Sequence, residues 1–394
     1  MSNSQIKNSS EQLKNSIDQS KMNTEGNTDG NSVKPDKESG RENESIKPDN
    51  LSENKKNKKD RILWIDLAKG ITIILVIMGH TIEGIGRGMI FSFHLPLFFI
   101  LSCITFRYSK NEKKFIRNTE RSFLHLIIPA YLMLLAGAAV DIYRNIEAFH
   151  DINYCFDYVR KISMTGIFAS GVDVWINGGQ VFAMGIPWFL VVLFGGRTLF
   201  DYLQLKLDGK NLIIVSVLLS IVGAAVGQIQ YQAFSFDIAL FVLPFFLVGK
   251  YFKVFEVEKK PLMKLVVYLV VWGLLFVGTM NVYHSYMELA WRHYASYPIL
   301  YLVAVAGTLA MTEFCVLMSK IKVPVRPVSY LGKHSMWLLF IHHMDPIFSR
   351  LFWRSENLYI NAVMRIAVDL IVFVIVIFAI NGIKMLVNEC RNIV

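Results

Sequence analysis

A chain of 394 residues, 53% of them hydrophobic and only 18% charged, is composed like a polytopic membrane protein and unlike a soluble one. Its formal charge of +10 would suit nucleic acid, but the basic residues sit in short clusters between apolar runs, where they act as topology determinants, so no nucleic-acid partner is expected. Cys103, Cys155, Cys315 and Cys390 show no CxxC or metal-ligand spacing, which speaks against a disulfide framework and a zinc site, and no metal ligand set is assigned.

Residues 1–60 are rich in Asn, Ser, Lys, Glu and Asp and nearly free of aromatics. Such a segment buries too little apolar surface to offset its ordering entropy, so a disordered, polar, cytoplasmic tail is expected. No cleavable signal peptide is visible in it. Lys55, Lys56, Lys58, Lys59 and Arg61 close it with a basic collar suited to anionic headgroups.

Residues 61–390 read as one transmembrane domain. Apolar segments approaching the roughly 17 to 25 residues that a span needs recur about ten times. They lie near 62–82, 89–106, 122–140, 181–200, 211–228, 235–252, 263–283, 297–318, 328–345 and 362–386. The expected fold class is all-α, a polytopic integral membrane protein of about ten transmembrane helices. Cation-rich and cation-poor connections alternate along the chain, so the positive-inside rule puts both termini in the cytoplasm of a multi-pass plasma-membrane protein.

The first span carries Asp66, Lys69 and His80. Charged side chains at bilayer depth cost roughly 3 kcal/mol even on mild scales, so they usually face a bundle interior or a wet cavity. Lys69 and His80 stand eleven positions apart, about 16 Å of helical rise and within about 20° of one face. A neutral imidazole can take a proton from a hydroxyl near neutral pH, which makes His80 the first candidate for a general base. Lys69 suits an anionic group, and the same position suits snorkelling toward headgroups. The second span reads FSFHLPLFFILS and contributes His94 and Ser102.

Further along, KKFIRNTERSFLHLIIPAYL sets Arg117, Arg121 and His125 at four-residue intervals on one helix face. Arginine matches phosphate geometry, and ordinary topology also accounts for these cations. The outer connection 141–180, with Tyr143, Tyr154, Tyr158, Asp173 and Trp175, is long enough to serve as a lid or re-entrant piece. Trp188, in GIPWFLVVLF, suits either a pocket wall or an interfacial anchor. His342 ends a late span, while Glu288 and His293 fall in an outer loop and are expected to be solvated.

The Lys69-x10-His80 spacing followed by Phe93, His94, Pro96, Phe98, Phe99 and Ser102 resembles the membrane acyltransferase-3 family, particularly its sugar and polysaccharide O-acetyltransferases of the fucose 4-O-acetylase type. Cys103 stands where that pattern has glycine, and His125 replaces part of an arginine pair leading into the third span. The resemblance implies transfer of acetyl from cytoplasmic acetyl-CoA to a carbohydrate hydroxyl. It implies donor binding by Lys69, Arg117 and Arg121, catalysis by His80, and acceptor binding or positioning by His94, Ser102, Trp188 and His342. Acetyl-CoA would be a substrate, with no cofactor permanently bound. The competing reading is a transporter or exporter of a lipid-linked sugar or other envelope precursor, because transporters also place polar groups near the midplane.

Overall fold

The computed structural model describes residues 62–176, 178–252, 260–294, 296–320, 325–345 and 355–393, with side chains up to residue 385. The expected disordered tail lies outside the described residues. The described chain is helical apart from one short hairpin and its connections.

The first helix, α1 (Leu63–Gly79), is followed by α2 (Gly84–Phe91) and α3 (His94–Thr105). An Asn111 side chain caps α4 (Glu112–Ser122) by accepting from the Lys114 amide, and a π-turn over Phe123–Ile127 joins it to α5 (Ile128–Arg144). The connection after α5 then forms α6 (Ile152–Phe168) and the antiparallel pair β1 (Val174–Ile176) and β2 (Gly179–Val181), with Trp175 opposite Gln180. The buried hairpin residues Val174, Ile176 and Val181 pack against Met164, Phe168 and Tyr231, which leaves the Trp175 ring exposed.

Next come α7 (Trp188–Lys206), α8 (Gly209–Ile229), α9 (Phe236–Phe241) and α10 (Leu243–Tyr251). The chain continues through α11 (Pro261–Tyr283), α12 (Ile299–Lys320), α13 (Arg326–Lys333), α14 (Ser335–His343) and α15 (Leu358–Ile393). Proline stands in the first turn of α11 and α13, where its missing N–H costs nothing.

Six continuous helical stretches are long and apolar enough to cross a membrane: Gly84–Thr105, Glu112–Arg144, Gly209–Ile229, Pro261–Tyr283, Ile299–Lys320 and Leu358–Met385. The segments Ala233–Phe241 and Leu243–Tyr251, bent by 49°, make a seventh if counted together. The other three expected spans are also helical but differ in kind. The helix α1 is 17 residues long, α7 carries Arg197, Asp201 and Lys206, and the ninth expected span is divided between α13 and α14.

Apolar side chains of α8 and α11, among them Ile214, Leu218, Val266 and Leu274, are exposed, as expected of faces turned to lipid. The interior face of α8 is instead lined by Ser216, Ser220, Gly223 and Gly227. Helices in lipid gain nothing from burying one apolar side chain against another, so small residues that allow close backbones mark the packed side.

The helix α1 lies at the centre, packed against α12, α13, α14 and α15. Its crossing with α13 is backbone to backbone. A Cβ on Gly70 would collide with the Val328 carbonyl, and one on Gly332 with the Asp66 carbonyl. Another close crossing joins α3 and α10: a Cβ on Gly249 would meet Ile100 O at 2.7 Å and the Cys103 side chain. The glycine replaced at Cys103 is thus offset by a glycine on the facing helix, and close packing is kept.

Candidate active site

A cavity of about 580 Å³ opens within the bundle. Lys69, Ile73, Val76 and His80 line it from α1, the i, i+4, i+7, i+11 face that the helical period dictates. His94, Ser102, Trp188 and His342 line it as well. Six of the eight residues expected at the site therefore share one space. Arg117 and Arg121 do not: they are exposed on α4 and absent from the cavity wall, as is His125 on the following turn.

His80 caps the C-terminus of α1 and keeps much of its surface accessible to the cavity. Its ring centroid lies 5.7 Å from that of His342 and 5.8 Å from that of Phe91. His94, the first residue of α3, is buried, with Nδ1 3.0 Å from the Ile90 carbonyl oxygen. Donation to that carbonyl assigns the proton to Nδ1 and leaves Nε2 as the acceptor.

His342 is more elaborately held. Its Nδ1 lies 3.0 Å from Asp369 Oδ2 and 3.0 Å from Asp345 Oδ2. The contact with Asp369 is a hydrogen bond, which Nδ1–H donates. Asp345 Oδ2 also accepts from Arg365, whose Nη1 reaches Thr81 Oγ1 at 3.3 Å. His342 Nε2 is buried and makes no hydrogen bond among the described residues. Two carboxylates thus meet the His342 imidazole and the Arg365 guanidinium at the cavity wall.

The donor atoms of His342, Asp345 and Asp369 lie within 4.8 Å of one another, a spacing that could hold a metal ion. The Asp345 oxygen beside His342 is, however, the one bonded to Arg365. A divalent cation would have to displace that guanidinium and would leave buried positive charge in excess. With an imidazolium at His342, the two carboxylates and Arg365 sum to zero, so the donor set fits a proton better than a metal.

Trp188 is only 7% exposed and its indole packs against Gly171, so it belongs to the cavity wall and does not act as an interfacial anchor. Arg197 enters the cavity from α7, with Nη1 3.4 Å from Ser102 Oγ and its Cζ 5.0 Å over the Phe106 ring. Arg87 and Glu288 form an ion pair of 2.7 Å in the cavity wall. This corrects the expectation of a solvated Glu288, whose side chain is 13% exposed because the loop before α12 folds back over α2. His293 is exposed as expected.

The sequence reading missed Arg87, Arg197, Glu288, Asp345, Arg365 and Asp369. Two of these were within reach: Arg365 and Asp369 fall four residues apart inside an otherwise apolar span, the signal that had drawn attention to Lys69.

The family whose model is described as an acyltransferase domain, acyltransferase-3, matches residues 62–382. No curated protein and no solved structure matches the chain.

Proposed function

The chain belongs to the acyltransferase-3 family, and on that premise we propose that it is an integral membrane O-acetyltransferase that moves acetyl from cytoplasmic acetyl-CoA to a carbohydrate hydroxyl at the cell surface or on a lipid carrier. The observation that carries this reading is the single cavity whose α1 face runs from Lys69 to His80, with His94, Ser102, Trp188 and His342 on its other walls. The rise of about 16 Å between the two α1 residues suits an extended pantetheine arm, with its anionic end near the lysine and its thioester near the imidazoles.

In this reaction His80 takes the proton of the acceptor hydroxyl as its oxygen attacks the thioester carbonyl. The C–S bond of the tetrahedral intermediate then breaks, the acetyl group stays on the acceptor, and coenzyme A leaves as the thiol with the proton restored. A positioned base contributes about 10² to 10⁴-fold to such a step. Imidazolium at His342, facing the same space, would stabilise the developing oxyanion. The reading keeps ten spans, with α1, α7 and the α13–α14 pair enclosed by the longer, more apolar helices. Arg117 and Arg121 would then act at the cytoplasmic surface, guiding the polyanionic donor without holding its reactive end.

The test is the O-acetyl content of surface carbohydrate from cells expressing wild type, His80→Ala or empty vector, with membrane insertion verified. Acetylation above the empty-vector level that is lost in His80→Ala is the expected result. Equal acetylation in wild type and His80→Ala would remove His80 from the chemistry. No acetylation above vector in any sample would shift attention to transport of an envelope precursor.

A further inference from the structure

We infer that Arg197 is a phosphate-binding subsite that takes the pyrophosphate of the donor, an assignment that rests on the acetyl-CoA reading above. Arginines inside this protein otherwise have carboxylate partners. Arg87 pairs with Glu288 at 2.7 Å, Arg292 with Asp237 at 2.9 Å, and Arg365 with Asp345. Arg197 forms no ion pair among the described residues. Its Nε is buried without a hydrogen-bond partner, and its one side-chain hydrogen bond is the 3.4 Å contact with Ser102 Oγ.

The nearby acid is already engaged. Asp201 Oδ1 accepts from the Ser109 amide at 2.8 Å and from Gln204 at 3.3 Å, and Asp201 Oδ2 accepts from the Ser109 hydroxyl at 2.6 Å. A guanidinium in the interior of a membrane protein is costly unless something compensates it. Here the space in front of it is the cavity itself, and Lys69 is in the same lining. The Phe106 ring lies 5.0 Å from Cζ, and the two Nη groups make no bond besides the long one to Ser102 among the described residues; paired Nη groups suit phosphate oxygens.

Depth agrees with the assignment. Arg197 lies nine residues beyond Trp188 at the outer end of α7, roughly 13 Å along the axis. It shares the inner part of the cavity with Ser102 and Thr105, which lie in the last turns of α3 before the basic cytoplasmic loop. A phosphate there would leave the length of a pantetheine arm between itself and the imidazoles.

The experiment is equilibrium binding of coenzyme A and of phosphate-free pantetheine to the purified full-length protein, wild type against Arg197→Gln and Arg197→Lys. Wild type should bind coenzyme A more tightly than pantetheine. Arg197→Gln should weaken coenzyme A by about 10- to 100-fold and leave pantetheine unchanged, and Arg197→Lys should fall between. An equal loss for both ligands would mean that Arg197 holds the fold and would overturn the assignment, as would an unchanged coenzyme A affinity. If wild type shows no saturable binding of coenzyme A, the donor reading itself fails and this subsite fails with it.

Discussion

His342 shows how much a single side chain can depend on partners distant in sequence. Asp369, 27 residues away, accepts its Nδ1–H, and that bond sets the direction in which Nε2–H points. In Asp369→Asn the imidazolium loses one of the two carboxylates that balance its charge and the acceptor that orients it. Turnover should fall by about 10²-fold or more while the protein still inserts, and kcat measured beside thermal unfolding in detergent checks this. Asp345→Asn should behave differently. It removes the carboxylate from Arg365, and breaking one half of a buried pair costs about 3 kcal/mol, read as a lowered unfolding temperature. At this scale the sequence was informative wherever the relation is local. Lys69 and His80 share a face because helix geometry alone requires it. Ser102 with Arg197, 95 residues apart, and Arg87 with Glu288, 201 apart, are joined only by tertiary folding.

Among the helices, the three expected spans that fall short in length or apolarity, α1, α7 and the α13–α14 pair, are those that bring Lys69, Arg197 and His342 to the cavity. Hydropathy registers lipid contact, and these elements are built for the interior, where polar side chains and short breaks are tolerated because they line a cavity. The lipid-facing helices α8 and α11 were correspondingly plain in the sequence. The exposed arginines of α4 reflect the same limit: the period placed Arg117 and Arg121 on one face, but not the direction in which that face points. The α1–α13 crossing yields a sharp expectation. Gly332→Val should abolish recovery of folded protein, since its side chain would occupy the position of the Asp66 carbonyl, whereas Gly273→Ala, in open surroundings on α11, should leave recovery unchanged. Size-exclusion profiles of the detergent-solubilised variants distinguish the two.

For the molecule as a whole, orientation governs which reactant meets which end of the cavity. With Cys155 replaced by serine, Trp175→Cys at the exposed hairpin should react with a membrane-impermeant maleimide on intact cells, and Arg117→Cys on α4 should react only after permeabilisation. The reverse pattern would invert the topology and exchange the donor and acceptor ends.

Between Lys69 and His80 the cavity face of α1 holds only Ile73 and Val76, with Phe98, Leu126, Phe189 and Leu193 also in the lining. Apolar linings of this sort hold water weakly. A continuous file of water here, touching imidazoles at one end and cations at the other, would be a proton wire across an energised membrane. An apolar middle would interrupt such a file, so a cavity lined in this way can admit a long substrate without conducting protons.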